Sequence, residues 1–249
     1  MSYPDSKEVI YIINSFRGKG HDPSILDSYW FLDELKSFER QFSEYMKLQV
    51  QINTDYSKKA SELIKMISGK ENANIINFNY TKPFSNLGKV VSISNVHGTI
   101  ADRNIIFGID LTEDLTLDAH IFTKTHRKML QKNSVSSLPG GINVIKFYGH
   151  SLGSADYSYF QSIFDHYNLY GDDLDLSHYR TGDKPVVLQF YFTVFNKDKK
   201  LAIKRNAADS VYKLITTYGN SFDNKDKGRN LLHKLLLEGR VQIIFLDNI

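Results

Sequence analysis

The chain has 249 residues, 41% hydrophobic and 24% charged, the make-up of a folded globular protein rather than a disordered one. Cysteine is absent, which excludes disulfides, thiol nucleophiles and cysteine-ligated zinc. A net charge of +3 is too small to argue for a nucleic-acid partner. Taken in chain order, apolar residues Val9, Ile12, Ile13 and Phe16 share a helical spacing, so the pattern predicts a helix over 8–17, broken by Gly18-Lys19-Gly20. Ser24 then caps a longer predicted helix whose apolar positions, Leu32 to Met46, step by three and four. A further helix over 57–67 repeats the pattern and ends at Gly69. Short apolar runs follow as predicted strands at 75–78, 90–94, 105–109 and 144–148. A helix is expected over 118–131, a turn at Pro139-Gly140-Gly141 and another helix from Ser154. The C-terminal part reads as a strand over 186–195, helices over 202–218 and 229–237, and a strand over 241–246.

Strands alternating with helices imply parallel βαβ units, a sheet buried on both faces and ligands outside the carboxyl ends of the strands. One mostly parallel sheet is expected to hold Ile76, Ile93, Ile106, Ile145, Leu188 and Ile243. The residues just after each strand therefore draw attention. Asn77-Phe78-Asn79-Tyr80-Thr81 puts two amides, a phenol and a hydroxyl after a strand, suited to ribose hydroxyls or to an ordinary strand-end turn. His97-Gly98 puts a proton-transfer group at a sharp turn, or a histidine bonded to a carbonyl. Gly149-His150-Ser151-Leu152-Gly153 matches the nucleophile elbow of serine hydrolases. Its triad partners are poorly supplied: Asp172, Asp173 or Asp175 with His178 is too compressed, and His233 lies within an amphipathic helix beside Leu232.

In this order, Asn77 to Thr81, His97-Gly98, Phe107-Gly108, and Gly149 to Leu152 with Asp156 resemble the bacteriophage abortive-infection AbiH family, from about the helix of Trp30 and Glu34 to the C-terminus. The resemblance implies a sirtuin-like site around NAD, in a bacterial cytoplasmic protein of antiviral defence. By it His97 is the general base and Asn79 its catalytic partner at the nicotinamide ribose. Asn77, Tyr80, Thr81, Gly98, Gly149, His150, Ser151 and Asp156 would bind NAD or a related nucleotide, with Ser151 facing the ribose or phosphates. The family's N-terminal glycine loop is not matched by Gly18-Lys19-Gly20. Weak NAD glycohydrolase-like activity in this chain alone, and self-association or a protein partner, are therefore expected.

The fold expected is α/β and Rossmann-like: a mostly parallel sheet flanked by helices, as one domain over 1–249, with a mainly helical part over 1–70 and the sheet-containing core over 71–249. Two other functions stay open, a non-catalytic sensor or protein-interaction domain of the same fold and a serine esterase using Ser151. Met1-Ser2-Tyr3-Pro4-Asp5 does not open a signal peptide, and no apolar run approaches membrane-spanning length. No metal site is expected. Gly171-Asp172-Asp173-Leu174-Asp175 reads as an exposed acidic turn, and Lys124, His126, Arg127 and Lys128 as a helix surface within reach of phosphates.

Overall fold

The computed structural model describes residues 28–83, 89–109, 117–131, 138–171 and 185–247. The expected helix over 8–17, the break at Gly18 to Gly20, the Ser24 cap and the acidic turn beyond Gly171 lie outside them. Two helices come first, α1 (Ser28–Ile52) and α2 (Tyr56–Ser68). Gly69 ends α2 at a φ of 74°, its amide donating to the Lys65 carbonyl. Strands β1 (Ala73–Asn77) and β2 (Val90–Asn95) pair in parallel. A 3₁₀ turn (Leu117–Phe122) and the short α3 (Lys124–Met129) precede β3 (Val144–Tyr148), which leads to α4 (Tyr157–His166) and β4 (Val187–Val194). Helices α5 (Lys200–Asn220) and α6 (Lys225–Leu237) then return the chain to β5 (Val241–Asp247).

The architecture is α/β, with parallel strands, flanking helices and a helical N-terminal part, consistent with a Rossmann-like arrangement. The single sheet is not what forms. Strands β1 and β2 make one sheet and β3, β4 and β5 another, in that order, so Ile76 and Ile145 are in different sheets. Ile106 is in no strand, although it is 1% exposed. Across 105–109 the amides find other acceptors. Ile106 N–H donates to the His97 carbonyl and Phe107 N–H to the Glu39 carboxylate, while Ile109 makes one isolated bridge to Thr123. The expected helix over 118–131 is broken at that bridge, where the Thr123 hydroxyl accepts from the His126 amide and caps α3.

The main core lies where β3 to β5 meet α4, α5 and α6. Leu188 and Phe190 alternate inward from β4, and Phe160, Phe164, Ile215, Leu231 and Leu235 close over them. Phe147 stacks on Phe190 at 4.6 Å. The opposite face of this sheet is more polar, with Gln189 donating to Gln242, so it is not the doubly apolar sheet expected. Lys146 on that face reaches the Ile67 carbonyl at the end of α2, where a cation meets the negative end of a helix. A second aromatic group, Phe38, Phe42, Tyr80 and Phe107, joins α1 to the segment after β1 and to 105–109. Through it α1 carries a buried charge. Glu39 forms a two-pronged pair with Arg127 at 2.6 Å for each contact. Arg127 is thereby interior, not part of an exposed helix surface.

Candidate functional site

The two sheets meet at their carboxyl ends around one carboxylate. Asp156 stands at the N-terminus of α4, where an Asp ordinarily caps the helix amides, yet its side chain makes no capping bond. It accepts instead from three directions. His97 Nε2 donates to Oδ1 at 2.9 Å, Lys124 Nζ to the same oxygen at 2.7 Å, and His150 Nε2 to Oδ2 at 3.0 Å. Lys124 also donates to the Ala155 carbonyl at 3.0 Å. All four side chains are largely removed from water. Burial pushes the Asp156 carboxyl upward, but the bonds from His150, His97 and Lys124 outweigh it and hold it well below the usual carboxylate range. Carboxylate and ammonium cancel, so the cluster is neutral when both imidazoles are neutral.

The two histidines come from different strand ends and Lys124 from the start of α3. His97 follows β2, where Val96 N–H donates to the Asn77 carbonyl. Gly98 takes a φ of 76°, and a Cβ there would sit 2.0 Å from the Asn104 carbonyl oxygen, so only glycine lets this loop close behind His97. His150 follows β3. Its Nδ1 accepts the Leu152 amide at 2.9 Å, which requires Leu152 to adopt a left-handed φ of 56°. That is a costly conformation for a branched residue and is held by burial of the side chain. Lys124 is placed by the Ile109 bridge, its own amide donating to the Ile109 carbonyl.

The polar groups of the first cluster are largely bonded within the turn. Asn77 is a turn-builder: its Nδ2 donates to the Thr81 carbonyl and to Asn95 Oδ1, and its Oδ1 accepts the Asn79 amide. Thr81 pairs with the Tyr56 hydroxyl at 2.6 Å, and the Tyr80 hydroxyl donates to the Ile106 carbonyl. Burial, with Glu39 nearby, pushes the Tyr80 phenol up to about 12. These three residues hold the loop together. Phe78, which the sequence does not single out, lies at the centre, its ring edge-on to His97 at 5.6 Å and to His150 at 5.0 Å. Asn79 and Ser151 are exposed beside this cluster, and Gly149 is exposed at a φ of 69°.

Both ring nitrogens of His150 are taken, and the Ser151 hydroxyl lies 3.4 Å from the Gly153 amide. His233 is exposed on α6. Among the described residues no histidine therefore stands as a base for the Ser151 hydroxyl. His97 differs from His150 in one respect. Its Nδ1 is buried and has no hydrogen-bond partner among the described residues. Lys124, read from sequence as helix surface, is the unexpected member. Its partner lies 32 positions away, and a lone lysine after Thr123 carries no local sign of burial.

Among the described residues no group of three or more acidic or histidine side chains is arranged to hold a metal ion. None of their helices is long and apolar enough to cross a membrane. The family model described as bacteriophage abortive infection AbiH matches residues 5–174. The match starts earlier than the helix of Trp30, where the sequence resemblance begins, and ends before β4. No curated protein and no solved structure matches the chain.

Proposed function

Because this chain belongs to the bacteriophage abortive infection AbiH family, which carries a role in abortive infection, we propose that its chemistry is cleavage of the bond between nicotinamide and ribose in NAD or a related nucleotide, centred on His97. The observation that supports this reading is the state of that ring: one nitrogen bound to a buried carboxylate, the other buried with no hydrogen-bond partner among the described residues. An orphaned polar atom costs about 1–3 kcal/mol and persists where something else selects for it. In the reaction the glycosidic carbon–nitrogen bond breaks and nicotinamide departs with its electron pair. Water adds to the ribose carbon, and its proton passes to His97 Nδ1. Asn79, exposed at the end of β1, would orient the ribose or the water. Ser151, His150 and Gly149 would face the nucleotide from the end of β3. Asn77, Tyr80, Thr81 and Gly98 would serve by shaping the loops, since their polar groups or their space are already taken internally.

The test is to incubate the purified chain with NAD and follow nicotinamide release beside a His97→Ala control. Slow release above the spontaneous rate, falling on the order of 10²-fold in the variant, is the expected result. No release from the native chain, or equal release from both, refutes it. A second reading has its own support in the burial of His97. There the cluster is only a cross-link in a non-catalytic sensor or interaction domain that works by self-association or through a protein partner. His97→Ala would then lower stability with NAD never consumed.

A further inference from the structure

We infer that Asp156 and Lys124 are positioning residues that fix the proton of His97 on Nε2, so that Nδ1 is the proton-accepting atom of the site. The inference rests on the reading of His97 as a base, and it concerns which atom acts and what selects it. A free imidazole exchanges its proton between the two nitrogens, and an environment chooses by what it offers each. An ionised carboxylate only accepts, so in the neutral ring the nitrogen 2.9 Å from Asp156 Oδ1 carries the proton and the other carries the lone pair. Lys124 donates to that same oxygen and to the Ala155 carbonyl, which pins the carboxylate in the orientation that meets His97. Its ammonium also balances the charge of a carboxylate largely removed from water.

His150 supplies an internal comparison. It shares Asp156, but a backbone amide holds its Nδ1, because the Leu152 N–H must donate there. The proton of His150 is therefore fixed on Nε2 from two sides and that of His97 from one side. Removing the carboxylate should release the tautomer of His97 and leave that of His150. A purely structural role for Asp156 would disturb both rings alike.

The experiment is nitrogen-15 NMR of the imidazoles in the full chain at neutral pH, with the two rings assigned through His97→Gln and His150→Gln. In the native chain both rings should show a protonated Nε2 and the far-downfield resonance of an unprotonated Nδ1. In Asp156→Asn the His97 signals should move to the averaged or inverted pattern while those of His150 hold. Lys124→Met keeps the carboxylate and offers a second variant should Asp156→Asn fail to fold; it should broaden or average the His97 pattern, and Lys124→Arg should restore it. If NAD is cleaved, Asp156→Asn should lose on the order of 10²-fold in kcat with KM little changed. A protonated Nδ1 on His97 in the native chain overturns the inference whatever the activity. The native pattern together with no NAD cleavage overturns the proposed reaction and leaves the tautomer assignment standing.

Discussion

At the scale of single residues, the chemistry is set by how few acceptors the buried donors have. Asp156 satisfies two imidazoles and an ammonium with two oxygens, and among the described residues no other carboxylate is bonded to these donors. Ser151 sits one residue from this network and takes no part in it, because the His150 nitrogens are already bonded. A fluorophosphonate probe should therefore leave Ser151 unmodified, and labelling of the native chain should match that of Ser151→Ala by intact mass. An adduct on Ser151 would show a base the bonding pattern does not contain. Much of this site is legible in the sequence, since His97, His150 and Asp156 all follow predicted strands or open a predicted helix. Lys124 is not, because a cation in a charged helical segment reads as solvated and its burial depends on an aspartate distant in the chain. Phe78 is hidden for the opposite reason: a lone phenylalanine among polar neighbours looks like the end of the strand, not the centre of the site.

At the scale of elements, the longest helices and strands are legible because their apolar spacing and their partners agree. The strand expected over 105–109 fails because its amides bond to a side chain and to the His97 carbonyl, which no apolar run announces. The Glu39 carboxylate that accepts the Phe107 amide also binds Arg127, so α1, the 105–109 segment and α3 are joined at one point. Glu39→Ala would leave the guanidinium buried and unpaired, and a loss of about 3–5 kcal/mol is expected, read as a lower urea midpoint. A near-native midpoint would show that Arg127 finds water. Helices α5 and α6 are held by a different device. Gly219 and Gly228 face each other so closely that a Cβ on Gly228 would lie 2.0 Å from the Gly219 carbonyl oxygen. Alanine in an open helix would gain about 1 kcal/mol over glycine. Here the clash is with backbone, which moves only by separating the helices, so overpacking at about 1–3 kcal/mol decides the sign. Gly228→Ala should lower the thermal midpoint; a rise would mean that the helices separate without loss.

At the scale of the whole molecule, two parallel sheets that share no ladder among the described residues are tied together by the Asp156 cluster and by Phe78. The division was not legible, since each strand's pattern is the same whether its neighbour is in one sheet or another. It has a consequence for acid stability. Asp156 has an ordinary value of 3.8, and the folded state holds it well below that. Under about pH 3.8 the unfolded chain therefore binds a proton that the folded chain does not, and stability falls as pH falls. The contribution is complete above the unfolded value and disappears only once the folded carboxyl is itself protonated. Asp156→Asn should cost about 3–5 kcal/mol at neutral pH, because it leaves Lys124 buried beside a neutral amide. Other carboxylates also titrate in acid, so the informative quantity is the difference between native and variant in urea unfolding. That difference should shrink as the pH falls below about 3.8, because the unfolded native chain takes up a proton on Asp156 that the folded carboxylate does not. A gap that stays constant down to the lowest pH at which both chains fold would mean that the cluster is held by packing around Phe78, with the charge of Asp156 contributing nothing.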